Sequence, residues 1–313
     1  MQALSYDQFG GTDVLRLATL PAPAAEGGEL LVRVKAAALN PIQWKFREGQ
    51  MKMMSGKKFP QYVGGEFAGV VESVGSGITT FKPGDEVFGF VNRKRGGAMQ
   101  EVVAVTPDLI AHKPANVSFA QAASICVTGT AAHIGLVEKA KIKSGQTILI
   151  NGCTGGLGLW ATQIARRAGL EVTGVCGTDA VDTARRLGCH HVVDYQREDV
   201  TARGQRYDIV LDAAHVLSFG DAKGLLNPGG TFLNPTPTPG QIVGSFFGNL
   251  LPGKKHHVIL GAPDAKRIRQ LGTWAGDGYE ILVHKTFPLA QAREAFNYAE
   301  AGGYVGKVVV TMQ

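Results

Sequence analysis

Short apolar runs separated by turn signals fill the first hundred residues of the chain. Four of them have the alternating or continuous apolar pattern of β-strands, at residues 30–35, 69–74, 86–90 and 99–105. Between two of these runs, Pro83 and Gly84 favour a tight turn because they supply the dihedral angles that such a turn requires. This pattern predicts an antiparallel, barrel-like domain.

From about Ser118 the rhythm changes, and longer helical stretches alternate with strands. The predicted strands are 147–150, 171–176, 191–193, 207–211 and 230–233. Strands that alternate with helices predict a doubly wound parallel sheet of the Rossmann type.

The last fifty residues are predicted to rejoin the first domain. They carry a helix at 264–274, a strand at 280–284, a helix at 289–300 and a strand at 306–310. We therefore predict an α/β protein with a first domain of residues 1–118 completed by 262–313, and a dinucleotide-binding domain of residues 119–261. Within the latter, residues 234–240 are interpreted as a stiff proline-rich connection and 244–257 as an apolar, basic loop.

Composition narrows the function classes. The chain has 313 residues, 44% of them hydrophobic, and no apolar run of membrane-spanning length, so we expect no membrane span and no cleaved signal. Its four cysteines form no CxxC pair, which favours free thiols and a cytoplasmic protein. The net charge of +6 fits an anionic cofactor and equally a merely basic surface, and no basic stripe with interleaved aromatics indicates nucleic acid.

The stretch from Gln146 to Arg167 predicts a buried strand, a glycine turn and a helix. Glycines lack the Cβ atoms that would block a phosphate, and a helix N-terminus stabilises negative charge. The alternative is an ordinary glycine-rich turn, but a second strand follows after a helix of the expected length. The residues predicted to hold the dinucleotide pyrophosphate are Gly152, Thr154, Gly155, Gly156, Leu157 and Gly158.

The end of that second strand bears on the choice of cofactor. NAD sites usually carry Asp or Glu there, whereas this strand ends at Gly177 and Thr178, so NADPH is favoured. Asp179 would repel a 2′-phosphate if it pointed inward. Arg185 and Arg186 would attract one, although all three charges are equally well explained as a solvated helix start and face.

Several motifs together resemble the medium-chain dehydrogenase/reductase superfamily, specifically its zinc-free quinone oxidoreductase branch. They are 40–49 (NPIQWKFREG), 64–71 (GGEFAGVV), 81–87 (FKPGDEV), 127–130 (VTGT), the glycine turn, 192–195 (VVDY) and 306–309 (GKVV). The resemblance implies a GroES-like barrel beside the Rossmann domain, and a homodimer formed by the cofactor domains. It places Asn40 and Gly65 where zinc alcohol dehydrogenases carry Cys and His ligands, leaving Glu66 alone.

The same resemblance implies roles for single residues. Asn40 matches an active-site position that would donate to a developing oxyanion, and Lys45 lies where many relatives carry a tyrosine. Thr128, Tyr195 and Lys307 would contact the cofactor. Asn40 is as well explained by shaping a turn before Pro41, and Lys45 by a solvated side chain.

Without a metal to polarise it, the substrate should already be electrophilic. We therefore expect an enzyme, an NADPH-dependent oxidoreductase that transfers hydride to quinones or to α,β-unsaturated carbonyls such as enones and enals. Two alternatives stay open: a non-enzymatic NADPH-binding sensor or crystallin-like protein, and a zinc-dependent alcohol dehydrogenase, which the missing ligands disfavour.

Overall fold

The computed structural model describes residues 1–92 and 96–312. They form two compact units, one of Met1–Val127 with the segment from Pro263 onward, the other of Thr128–Ala262. The division predicted at 118/119 and 261/262 stays a prediction. No helix among the described residues is long and apolar enough to cross a lipid bilayer.

Sixteen strands are described within these residues. In chain order they are β1 Gln2–Tyr6, β2 Arg16–Thr19, β3 Leu30–Ala38, β4 Gln61–Tyr62, β5 Glu66–Val74, β6 Glu86–Phe90, β7 Val102–Val105, β8 Ile110–His112, β9 Thr147–Asn151, β10 Glu171–Cys176, β11 His191–Asp194, β12 Tyr207–Asp212, β13 Leu226–Asn234, β14 Lys255–Val258, β15 Val283–Pro288 and β16 Lys307–Thr311.

Ten α-helices are described in the same ranges. They are α1 Pro41–Arg47, α2 Lys52–Ser55, α3 Phe119–Ala122, α4 Cys126–His133, α5 Gly156–Arg167, α6 Val181–Leu187, α7 Phe219–Leu225, α8 Pro239–Gly248, α9 Ala265–Gly276 and α10 Ala292–Ala301. A π-helical segment, Ile134–Lys139, continues α4.

The first unit contains two sheets whose pairings are antiparallel except for β15 with β16. The larger sheet has the order β15-β16-β3-β5-β6-β8, with β7 also paired to β3, and the smaller has the order β2-β1-β4. Buried and less buried positions alternate along most of β3 because one face packs on the apolar core. The predicted barrel-like domain is confirmed in its architecture.

The second unit is built on a six-stranded sheet of order β11-β10-β9-β12-β13-β14, in which every pairing is parallel. The predicted doubly wound Rossmann sheet is thereby confirmed. The interior of β9 is buried on both faces, as its continuous apolar run predicted. Chain order reverses between β9 and β12, and in open α/β sheets ligands bind at the carboxyl ends of the strands beside such a reversal.

Two predicted elements were wrong. Residues 244–257 are not one loop, since α8 begins at Pro239 and β14 then pairs with β13 as the last strand of the sheet. The helix signal was present in the sequence, because Thr238 and Gln241 form a reciprocal capping box with proline at the first helical position. The strand predicted at 280–284 lies instead at Val283–Pro288, where it pairs with β16.

Candidate functional site

The glycine turn after β9 has the geometry of a phosphate cradle. Gly152 has φ +78°, a left-handed conformation that side chains other than glycine rarely adopt. A Cβ on Gly158 would lie 2.0 Å from the Gly152 carbonyl oxygen, so only glycine allows helix α5 to approach the turn this closely. At Gly155, by contrast, the nearest atom to an added Cβ is 3.6 Å away, and the space above this residue is open.

Helix α5 begins directly at this open space. Gly155 is its N-cap, with extended backbone and no side-chain hydrogen bond to the first turn. The first N–H groups of a helix have no partner within the helix, and together with the helix dipole they attract an anion. Gly152, Gly155, Gly156 and Leu157 are half-buried in the turn and first helical turn, and Thr154 and Gly158 are buried there. The residues present therefore fit a dinucleotide pyrophosphate.

The ends of β10 and β11 form a second part of the same sheet edge. Cys176 and Asp194 are directly paired in the parallel register. Tyr195 follows β11, is 61% exposed, and its hydroxyl oxygen would lie 3.4 Å from a Cβ on Gly177. The structure thus brings together Gly177, Thr178 and Tyr195.

Sequence reasoning missed a carboxylate at this edge. The Thr178 hydroxyl donates to Asp194 Oδ2 at 2.6 Å, so its proton is directed away from a ligand. Asp194 also accepts from the backbone N–H of Gln196 and pairs with Arg197 Nε at 3.3 Å. We missed Asp194 because it lies on the neighbouring strand, and only parallel pairing places it beside Thr178.

Asp179 and Arg185 lie nearby on the way into α6. Asp179 is exposed. The Arg185 side chain is 65% exposed and pairs with Asp182 at 3.2 Å. Its charge also helps to hold down the pKa of Cys176, although a hydrogen bond from Cys153 is the larger cause. A cation therefore lies close to the tip of β10, where an adenosine ribose is predicted to bind.

Thr128 lies on α4, at the first position of the second unit, and is 8% exposed. Its predicted contact with the nicotinamide half of the cofactor stays a prediction.

In the first unit, Asn40, Glu66 and Lys307 form one buried cluster. Asn40 Nδ2 donates to Glu66 Oε1 at 2.7 Å, and Lys307 Nζ donates to Asn40 Oδ1 at 2.5 Å. Lys307 Nζ also lies 2.7 Å from the Leu39 carbonyl oxygen and 3.3 Å from Glu66 Oε1. Glu66 is 0%, Asn40 1% and Lys307 6% exposed.

The bonds of this cluster account for all three ammonium protons of Lys307. Burial lowers the pKa of Lys307, and the neighbouring Glu66 carboxylate opposes that shift. Glu66 Oε2 in turn accepts the backbone N–H of Val127 at 2.7 Å. Lys307 therefore orients Asn40 inside the first unit, and its predicted contact with the cofactor stays a prediction.

Lys45 lies one helical turn after Asn40, on α1. It is half-buried, and desolvation lowers its pKa. Gln43 on the same helix is buried and donates to the Ala38 carbonyl oxygen at 3.1 Å. Its Oε1 atom is buried without a hydrogen-bond partner within residues 1–92 and 96–312.

The metal question can be examined from the donor set. The positions matched to the first two catalytic zinc ligands hold Asn40 and Gly65, and neither side chain is a usual zinc ligand. In the part of the chain that the structure describes, no group of three or more His, Cys, Asp or Glu residues is placed to hold a metal ion. The stretch 91–100, where a structural zinc lobe would be expected, has no cysteine, and its residues 93–95 lie outside the described ranges.

A parallel sheet with a phosphate cradle at its switch point, beside a barrel-like unit with a buried polar cluster, defines a two-domain dinucleotide-dependent dehydrogenase or reductase. Two family descriptions match this chain: "Alcohol dehydrogenase GroES-like domain" over residues 26–115 and "Zinc-binding dehydrogenase" over residues 187–310. The chain belongs to the medium-chain dehydrogenase/reductase superfamily.

Similar proteins cover nearly the whole chain. A chloroplastic quinone oxidoreductase from Triphysaria versicolor is 30% identical over 99% of this chain and 98% of its own length. A chloroplastic NADPH-dependent alkenal/one oxidoreductase from Arabidopsis thaliana is 31% identical over 99% of this chain and 79% of its own length. The solved quinone oxidoreductase from Coxiella burnetii has a TM-score of 0.89 and 29% identity, covering 100% of this chain and 99% of that one.

These comparisons confirm the predicted resemblance to quinone oxidoreductases and the prediction of a pyridine-nucleotide-dependent oxidoreductase. The prediction of a cytoplasmic protein was wrong. Both plant relatives above, and further homologues from Spinacia oleracea and Arabidopsis thaliana, are named as chloroplast proteins, which points to the plastid. Free thiols do not distinguish these compartments, because reduced cysteines are compatible with both.

Proposed function

We propose that this chain reduces quinones or α,β-unsaturated carbonyl compounds with NADPH, without the help of a metal. The observation that carries the proposal is the Asn40 amide, held between Lys307 and Glu66 at the position matched to a zinc ligand. The names of the relatives support the same substrate class, since they include quinone and alkenal/one oxidoreductases. Such acceptors are already electrophilic and do not require a Lewis acid.

The cofactor, when bound, supplies hydride, and the turn at 152–158 with Thr128, Gly177, Thr178 and Tyr195 would hold it. In the first unit, hydride addition to the substrate creates negative charge on the substrate oxygen, which must be stabilised. Asn40 donates one Nδ2 proton to Glu66 and keeps the second for that oxygen. A preorganised donor of this kind acts more strongly in a buried site than in water.

Lys45 is the proposed source of the proton. A half-buried ammonium has a lowered pKa and so releases its proton more readily than a lysine in water. The proton would go to the enolate carbon or to the quinone oxygen after hydride addition. Gln43 lies where the family usually carries Asp, and its amide has no proton to lose at neutral pH.

NADPH rather than NADH is proposed on the charge at the tip of β10. Arg185 lies near this tip, while Arg197 and two hydrogen bonds offset the charge of Asp194. The name of the alkenal/one oxidoreductase supports the same choice. We expect Arg185→Ala to weaken NADPH binding by about tenfold and to leave NADH binding unchanged, as measured by fluorescence titration.

A homodimer is proposed through the second unit. Strand β14 pairs with β13 and ends the described sheet, so its outer edge offers unpaired N–H and C=O groups to a second copy. Sedimentation velocity on the purified chain would test this assembly.

A non-enzymatic NADPH-binding protein is the competing function, because the cradle alone would permit it. The deciding experiment follows NADPH oxidation with a panel of quinones, enones and enals, and with a saturated ketone as the matched control. Turnover of the unsaturated acceptors alone supports the proposal. Binding without oxidation of any acceptor would favour the sensor, and turnover of the ketone with stoichiometric zinc would favour an alcohol dehydrogenase.

A further inference from the structure

Three of the four cysteines meet beneath the glycine turn of the second unit. Cys153, Cys176 and Cys189 are buried free thiols. A Cβ on Gly174 would lie 2.5 Å from Cys189 Sγ and 2.7 Å from Cys153 Sγ, so the sulfur atoms occupy the space that this glycine leaves.

Cys153 and Cys176 are the pair best placed to react. Their strands β9 and β10 are neighbours in parallel register, and Asn151 lies opposite Val175. The backbone N–H of Cys153 donates to the Val175 carbonyl oxygen at 3.1 Å, which brings the turn against the end of β10. The Cys153 thiol also hydrogen-bonds to the Cys176 sulfur. Sulfur atoms at this separation need only a small movement to form a disulfide.

The two thiols are chemically different. The hydrogen bond from Cys153 is the main cause that lowers the pKa of Cys176. The same bond raises the pKa of Cys153, and a second one with Cys189 and burial add to that shift. Cys176 is therefore the better nucleophile, and Cys153 is a protonated partner beside it.

We propose that Cys176 and Cys153 form an oxidation site for hydroperoxides, and that the resulting disulfide weakens dinucleotide binding. The Cys176 sulfur attacks one peroxide oxygen, the O–O bond breaks, and hydroxide leaves and is protonated to water. Cys176 is then a sulfenic acid. Cys153 attacks its sulfur, a disulfide forms and a second water leaves, so that hydrogen peroxide is reduced to two waters as two thiols are oxidised.

The location of the pair links oxidation to the cofactor, and this link rests on the cofactor site proposed above. Cys153 lies inside the turn that would hold the pyrophosphate, and Cys176 directly precedes Gly177 and Thr178. A bond between them draws the turn toward β10 and alters the cradle. Bound dinucleotide covers both segments, so it protects the thiols from oxidation.

The test treats the purified full chain with hydrogen peroxide, with and without saturating NADPH, and maps the cysteines by alkylation and peptide mass spectrometry. We expect a peptide linked through Cys153 and Cys176, with Cys126 and Cys189 still alkylated. NADPH should slow its formation, and the oxidised protein should bind NADPH at least about tenfold more weakly, reversibly with dithiothreitol.

Cys176→Ser and Cys189→Ser are the matched variants. Cys176→Ser should keep its NADPH affinity after peroxide, and Cys189→Ser should still form the linked peptide. A peptide linked through Cys153 and Cys189, the absence of any linked peptide, or equal loss of affinity in Cys176→Ser would overturn the proposal. Formation of the predicted disulfide in a protein that binds no NADPH would uphold the oxidation site and reject only the cofactor assignment.

Discussion

Lys307 Nζ and Asn40 Oδ1 are joined by a direct hydrogen bond of 2.5 Å inside the first unit. Because Nδ2 of the same amide donates to Glu66 Oε1, the orientation of the Asn40 side chain is determined at both ends. Strand β16 supplies the lysine and the start of β5 supplies the glutamate, so residues 241 positions apart orient an asparagine at the start of α1. This relationship yields the first two predictions.

Lys307→Met is expected to destabilise the protein by about 3 to 5 kcal/mol, because it leaves the Glu66 carboxylate buried without its cation. Adding Glu66→Gln removes the second charge and should restore most of that loss. Urea denaturation measures both variants. Lys266→Met, an exposed lysine on α9, is the control and should change stability by less than about 0.5 kcal/mol. Equal stability of the single and double variants would mean that the pair carries no charge coupling.

Asn40→Ala is expected to lower kcat by about 10²- to 10³-fold with little change in KM, since the lost donor acts on charge that develops only in the transition state. Asn116→Ala, a change to an exposed asparagine of the same unit, is the matched control. Steady-state kinetics with the best acceptor measures both. A loss of stability with unchanged kcat would assign Asn40 to the fold instead of the chemistry.

The pH dependence of turnover should report on Lys45. Its pKa is lowered from the ordinary value of 10.5, so a proton donated by Lys45 is available at low pH and is lost as pH rises through that lowered value. Lys45→Met should remove this descending limb and reduce kcat about 10²-fold. Lys45→Arg keeps the charge but not the proton. If this variant retained full activity, the charge of Lys45 would matter and proton donation would not.

Two glycine variants separate the fold of the cradle from its use. Gly158→Ala places a Cβ 2.0 Å from the Gly152 carbonyl oxygen and should cost about 3 kcal/mol of stability or more. Gly155→Ala meets nothing closer than 3.6 Å and should cost about 1 kcal/mol or less. If the pyrophosphate occupies the open space above Gly155, this variant should still weaken NADPH binding at least about tenfold. Thermal unfolding and fluorescence titration distinguish the two effects, and normal NADPH affinity in Gly155→Ala would place the phosphates elsewhere.

Acid stability should depend on His256. Burial is the larger cause that lowers its pKa below the ordinary value of 6.5, and the nearby His257 adds to it. Above pH 6.5 the imidazole is neutral in both states. As pH falls below 6.5, the unfolded chain takes up a proton that the folded protein does not, so the stability falls.

His256→Phe should reduce this slope, leaving the share of His257, whose pKa burial also lowers. The ring should still stack between Phe219 and Phe232, whose centroids lie 4.9 and 5.5 Å from that of His256. Its Nε2 atom is buried without a hydrogen-bond partner in the described part of the chain, so the variant should gain about 1 kcal/mol at neutral pH. Urea denaturation between pH 5 and 8 checks both effects, and an unchanged slope would show that His256 is equally neutral when unfolded.

The sequence by itself determined the sheet architecture and the position of the cradle. Strands β9 and β10, the turn from Gly152 to Gly158 and helix α5 follow from local causes: apolar runs, absent Cβ atoms and a free helix N-terminus. Even the missed helix α8 had its signal, the capping box at Thr238.

Only the tertiary structure decided which distant residues share a site. Asp194 reaches Thr178 through the pairing of β10 with β11, and Cys153 meets Cys189 across the missing side chain of Gly174. Lys307 was matched to the cofactor by its motif, yet its ammonium lies with Asn40 and Glu66 because β16 pairs with β3, the strand that leads into α1. Register between strands far apart in sequence depends on the packing of the whole sheet, and no local pattern of residues records it.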